Sequence, residues 1–213
     1  MKVIIFGATG FSGRAILSEA LKQGHEVTIL VRDAAKVQSK HKNLMVVEGN
    51  VLNPETVARV LQNQEVVIQC LGVGGKGDGK PTTFISDATK VIVEEMQKQK
   101  IKRLIAMSNV GAGYSIAFQP WFFTQIILPY FMKWLKVIID DKNRMEPIIM
   151  NSHLDWTIVR CPNIVDKPAK GACLATLDGK GLKLSVTLSD LSKFMVDQLT
   201  QAIFIKQAPS VSN

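Results

Sequence analysis

Short apolar runs alternate with amphipathic stretches along almost the whole chain. Lys2–Phe6, Val27–Val31, Met45–Val47, Val66–Cys70, Leu104–Met107 and Trp156–Val159 are brief, rich in β-branched residues and apolar on both faces. That is the pattern of buried parallel strands. Between them the period lengthens to that of a helix. Ser12–Gln23 stops at Gly24, a helix-terminating glycine. Asn53-Pro54-Glu55 starts a second helix, with asparagine as N-cap and proline in the first turn. Asp87–Lys98 makes a third. The alternation predicts an α/β fold: one Rossmann-type, doubly wound parallel sheet with helices on both faces, in a single domain over residues 1–213. A terminal helix is expected in TLSDLSKFMVDQL, with Ser189 as N-cap and an apolar stripe of Leu191, Phe194, Met195 and Leu199. Pro209–Asn213 reads as a frayed end.

Two stretches break the rhythm. GVGGKGDGKPTT (72–83) reads as a glycine-rich loop. The strongly apolar 115–141 segment, SIAFQPWFFTQIILPYFMKWLKVIIDD, is interrupted by Pro120, Pro129, Lys133 and Lys136. It holds no unbroken apolar run long enough to cross a bilayer, so stable membrane insertion is not expected. Three readings stay open for this helical insertion: a lid on the active-site cleft, a dimer surface, or contact with a membrane surface. Trp121, Phe122 and Phe123 suit stacking on a planar substrate and equally suit packing.

GATGFSG (7–13) follows the first strand and opens the first helix, the context in which a glycine motif carries meaning. Gly7 permits the sharp turn, Gly10 lets a pyrophosphate approach the backbone, and Gly13 lets the helix pack close to the strand. The first-turn amides and the positive end of the helix dipole then face the phosphates. Thr9 and Ser12 add hydroxyl donors, and Phe11 covers the pyrophosphate or its wall. The second strand ends in Arg32, where an NAD-binding domain places an acid for the ribose 2′-hydroxyl. A guanidinium suits a 2′-phosphate, and Lys36 can reach the same group. Asp33 reads as the cap of a short helix. The expected cofactor is therefore NADP(H). Asn50 and Val51, after the third strand, can flank the adenine, and Leu71-Gly72 can pass beneath the ribose and phosphate.

Composition narrows the remaining classes. Hydrophobic residues make up 46% and charged residues 21%, which suits a globular fold. The net charge of +8 comes from scattered cations, and the densest group, Lys98, Lys100, Lys102 and Arg103, sits where a helix should end. No basic–aromatic interleaving is present, so nucleic acid is not an expected partner. Cys70, Cys161 and Cys173 are an odd number in apolar surroundings, which predicts buried thiols in a reducing compartment. None pairs with histidine at ligand spacing, so no metal is expected. His25, His41 and His153 read as surface residues. MKVIIFG lacks signal-peptide architecture, and the expected location is the cytoplasm.

GATGFSG, TILVRD, EGNVLN, IQCLG, RLIAMSNVGAG, DDKNRME, HLDWTIVRCPNI and ATLDGKG succeed one another in order. Through them the chain, from about Lys2 to Asp197, resembles the atypical short-chain dehydrogenase/reductase superfamily. The resemblance is to its NAD(P)H-binding group of flavin reductases and biliverdin-IXβ reductases in particular. It implies NADPH lying across the strand ends against Gly7, Thr9, Gly10, Ser12, Arg32, Lys36, Asn50, Val51, Leu71 and Gly72. It places Ser108 and Asn109 by the nicotinamide, with Pro162, Asn163 and Ile164 at its carboxamide and the substrate pocket. It also places Lys142 at the nicotinamide ribose, whereas the spacing of Lys142 to Glu146 equally suits an i,i+4 ion pair.

Two departures shape the functional expectation. A histidine of the biliverdin reductases is replaced here by Asn163, and the Tyr-x-x-x-Lys pair of the wider superfamily is missing. Tyr130 precedes Lys133 at the wrong spacing, and Tyr114 has no lysine four residues on. Ser108, Asn109, Asn163 and Lys142 remain as candidate catalytic residues, the first three polar but not titrating near neutrality. Such a site fits hydride transfer from NADPH to a small planar acceptor, a flavin or quinone, which asks the protein mainly for orientation. The alternative is a non-catalytic NADP-binding redox sensor or partner-binding protein.

Overall fold

The computed structural model describes residues 1–74, 79–201 and 203–213; residues 75–78 of the expected glycine-rich loop lie outside them. The chain opens with β1 (Lys2–Phe6), α1 (Phe11–Lys22), β2 (Glu26–Val31), β3 (Leu44–Glu48), α2 (Pro54–Leu61) and β4 (Val66–Gln69). Next come α3 (Phe84–Lys98), β5 (Arg103–Asn109), α4 (Lys133–Met150) and β6 (Asp155–Cys161). The last elements are β7 (Asn163–Val165), β8 (Leu174–Thr176), β9 (Ser185–Thr187), α5 (Leu188–Asp197) and β10 (Ser210–Ser212).

Eight strands form one sheet in the order β3-β2-β1-β4-β5-β6-β10-β8. All neighbours from β3 to β10 run parallel, and only β8 is antiparallel to β10. A second, two-stranded sheet pairs β7 with β9. The chain therefore has the Rossmann-type α/β architecture that its apolar periodicity predicts. Strand β1 explains why: Val3 and Ile5 enter the core layer shared with α1 and α5, while Ile4 and Phe6 enter the one shared with α2, α3 and α4. All four are fully buried, each contributing roughly 1.5–3 kcal/mol of apolar transfer.

Several boundaries differ from expectation for identifiable reasons. β3 is an edge strand, so Met45 and Val46 are exposed instead of buried. α3 begins three residues before Asp87 because Asp141 of α4, fully buried, accepts from the backbone amides of Ile85 and Ser86 at 2.8 and 3.3 Å and from the Ser86 hydroxyl at 2.6 Å. A cap supplied from another helix leaves no local motif. α5 is capped by Thr187, not Ser189: its hydroxyl donates to the Asp190 carboxylate at 2.6 Å and accepts from the Asp190 amide. Pro209–Asn213 is not frayed, since Ser210–Ser212 is a sheet strand and Val211 fills the core beside α5. His25 is buried, which lowers its pKa, whereas His41 and His153 are exposed.

The 115–141 segment divides. A 3-10 turn over Gly113–Phe118 and a π-helical stretch over Phe123–Phe131, containing Pro129, lead into the first nine residues of α4. No helix among the described residues is long and apolar enough to cross a membrane.

Candidate functional site

The carboxyl ends of β1, β2, β4 and β5 converge on a cleft of about 420 Å³. It lies where the order of connections reverses beside β1, the place where open α/β sheets bind ligands. Gly7, Thr9, Gly10, Phe11 and Ser12 form its floor, and Arg32, Val51, Leu71, Gly72, Asn109 and Lys142 contribute to its walls.

The glycine turn is built for close approach. Gly7 has a φ of +91°, and a Cβ there would sit 2.6 Å from the Cys70 carbonyl oxygen. Gly13 does not line the cleft; a Cβ on it would come within 2.0 Å of the Gly7 carbonyl oxygen, so only glycine lets α1 start against the turn. Gly10, by contrast, meets only the Gly7 oxygen, and at 3.3 Å, so the space its missing side chain leaves belongs to the cleft. No side chain caps α1, and its first turn carries no acid. Its amides are left for an anion from outside the helix. Gly13→Ala should cost about 2 kcal/mol through forced backbone movement, lowering the melting temperature by roughly 4–8 °C. Thermal unfolding checks this.

A second recess of about 330 Å³, lined by Thr9, Arg32, Asp33 and Lys36, adjoins the first. Asp33 caps the 3-10 turn Ala34–Lys36 through the Ala35 amide at 3.0 Å, as its sequence position suggests. Its other oxygen lies 3.4 Å from Lys36 Nζ. Among the described residues Arg32 makes no ion pair, so its guanidinium stays open to a ligand.

At the opposite end Lys142 is 2% exposed. Its ammonium donates to the carbonyls of Met107 at 2.7 Å and Leu71 at 3.3 Å, and lies 3.7 Å from Met145 Sδ. Two of its three protons meet strong acceptors; the third meets a weak sulfur and can be redirected to a ligand hydroxyl. Burial pushes its pKa down to about 8, against the upward pull of Cys161, Cys70, Asp141 and Glu146. The expected ion pair of Lys142 with Glu146 is not the arrangement found. Glu146 instead takes two bonds from the buried Arg160, Nε at 3.0 Å and Nη2 at 2.7 Å. It also accepts the Ser108 hydroxyl at 2.7 Å.

Ser108 is therefore turned away from the cleft, while its neighbour Asn109 lines it. Asn50 is exposed and spends its side chain on the Leu52 amide at 3.0 Å. Pro162, Asn163 and Ile164 are not among the described residues that line the cleft, and Asn163–Val165 pairs with β9 in the second sheet. Of the 115–141 segment only Ile138 reaches the cleft. Sequence reasoning missed Phe84 and Ile85, which enter the wall because Asp141 anchors the start of α3. It also missed the Glu146–Arg160 pair, although an arginine inside the apolar run TIVRC was a legible sign of a buried partner.

No carboxylate or imidazole lines the cleft among the described residues, whereas two cations, Arg32 and Lys142, stand at its ends. Cys70 lines it too, but burial raises its thiol to about 12, so it is no nucleophile near neutrality. No group of residues suited to a metal ion occurs among the described residues. The uncapped α1, the bare Gly10 and the open Arg32 fit a phosphate-rich dinucleotide.

The sequence model of a family described as NAD(P)H-binding matches residues 7–202. The photosystem II assembly factor Ycf39 of Synechocystis sp. is 28% identical over 163 residues, 75% of this chain and 44% of the relative. This chain thus spans less than half of that relative's length. Among solved structures, the oxidoreductase ylbE of Lactococcus lactis superposes with a TM-score of 0.82 at 20% identity, covering 100% of this chain and 91% of that one. A short-chain dehydrogenase/reductase of Veillonella parvula in complex with NADP gives 0.74 at 19% identity, covering 100% and 94%.

Proposed function

The chain belongs to the NAD(P)H-binding family, and from that premise we propose that it is an NADPH-dependent reductase of a small planar conjugated acceptor such as a flavin or quinone. The observation that carries this reading is a cleft with a cation at each end and, among the described residues, no side chain on its walls that titrates as an acid or base at neutral pH, Lys142 apart. NADPH, when bound, supplies the hydride. The first-turn amides of α1 hold the diphosphate, with the Thr9 and Ser12 hydroxyls beside them. Arg32 grips the 2′-phosphate through its planar fork, with Lys36 adding charge from the same recess. Lys142 directs its third N–H to a ribose hydroxyl. Asn109 orients the acceptor and keeps its polar edge hydrogen-bonded. Ser108 acts behind the site, through Glu146. The apolar walls from Met107, Ile85, Phe84 and Ile138 exclude water from the inner end. A reducing cytoplasm suits the three free cysteines.

Purified protein mixed with NADPH and FMN or a soluble quinone should bleach the nicotinamide absorbance band with saturation in both substrates. Tight NADPH binding without turnover across a broad panel of acceptors would replace this reading with that of a redox sensor. Arg32→Ala should weaken NADPH about 10–100-fold, the worth of charge-assisted phosphate bonds, and leave NADH binding unchanged. Titration of both coenzymes checks it.

A further inference from the structure

The chain leaves an apolar face uncovered just ahead of α4. Trp121 is 70% exposed, Tyr130 71% and Phe131 77%, with Phe122 and Ile126 also exposed. Within the π-helical stretch only Leu128 is buried. A second loop comes close just before this face, where Gly179 lies against the Phe118 ring. A patch of this kind on a folded chain marks a contact surface.

Charge and side-chain type select the partner. No Asp or Glu occurs between Glu95 and Asp140. Asp140 is held by Lys136 at 2.6 Å and Asp178 by Lys180 at 3.1 Å. Lys133, exposed at the end of this stretch, has no carboxylate partner among the described residues. The face therefore offers cations and apolar groups with no free acid to receive the cations of a second copy. Trp and Tyr, an apolar ring carrying a polar edge, are the side chains that settle at a membrane–water boundary, with lysine reaching the headgroups. The proline-broken π-helical stretch lies too short to cross and is suited to lying flat. We propose that the exposed aromatic face of residues 121–131, with Lys133 beside it, docks this protein on the headgroup region of an anionic lipid bilayer. This docking does not depend on the redox reading.

The test is flotation of the full chain with vesicles of phosphatidylcholine alone or mixed with phosphatidylglycerol. The mixed vesicles should carry the protein at least tenfold more tightly, less so as salt rises, and brominated lipid should quench its tryptophan fluorescence. Combined Trp121→Ser, Tyr130→Ser and Phe131→Ser should abolish flotation with NADPH affinity intact, and Lys133→Glu should weaken it about fivefold or more. Failure of the wild-type chain to float with the mixed vesicles overturns the proposal. So does a triple variant that floats as well as wild type, or a wild-type dimer that ignores vesicles and that the triple variant makes monomeric.

Discussion

Lys142→Met should lower kcat/KM for NADPH oxidation on the order of 10²–10³-fold, within the range for losing a positioned donor, while the melting temperature holds or rises. The two effects separate because Lys142 is retained at a cost to the fold. Its pKa stands at about 8 against an ordinary 10.5, and burial is the cause. The depressed value means that the unfolded chain binds more protons between those two limits. Stability therefore rises with pH across that window, and at neutral pH the fold carries the whole penalty, about 3 kcal/mol. Methionine removes the penalty and forfeits the bonds to the Met107 and Leu71 carbonyls, worth about 1 kcal/mol each. The catalytic sign is opposite. The ammonium is present below about pH 8, so kcat/KM of the wild type should fall as pH rises through that value, and the variant's profile should be flat there. A large drop in melting temperature for Lys142→Met, or an unchanged rate, contradicts this role.

Glu146→Ala should destabilise the chain by about 3–5 kcal/mol, the cost of leaving a buried charge unpaired. For a chain of this size that is roughly 10 °C of melting temperature. Arg160 is 0% exposed and Glu146 1%, so bulk solvent does not reach the guanidinium. Among the described residues Arg160 would keep a long contact to the Ala208 carbonyl at 3.5 Å and the Tyr114 ring at 3.9 Å. Ser108 would lose its acceptor as well, loosening the strand end that carries Asn109. Replacing both partners with methionine should recover most of the loss, because two apolar side chains need no partner. Chemical denaturation of the wild type and the two variants distinguishes these outcomes. A Glu146→Ala chain within about 1 kcal/mol of wild type would mean that the pair holds nothing in place.

The parts legible in the sequence are those whose cause is local. The glycine turn, the β1 alternation, the cap at Asp33 and the exposed Arg32 follow from residues within a few positions of one another. What was not legible depends on partners far along the chain. Asp141 caps a helix 55 positions away, Glu146 pairs with an arginine on the neighbouring strand, and Val211 completes a sheet from a stretch that reads as polar tail. The resemblance places Asn163 by the nicotinamide; that it also lies in a second sheet could not be read, because a pairing of three-residue strands is too short to carry a period. Lys142 shows both sides. Its spacing to Glu146 suggested an ion pair, and Arg160, invisible at that spacing, takes the glutamate instead.

Isothermal titration of the wild-type chain with NADPH and with NADH tests most directly whether the glycine turn and Arg32 hold the phosphorylated coenzyme. NADPH should bind at micromolar Kd or tighter, at least tenfold stronger than NADH, through the Arg32 recess. No heat with either coenzyme, or tighter binding of NADH, would contradict it.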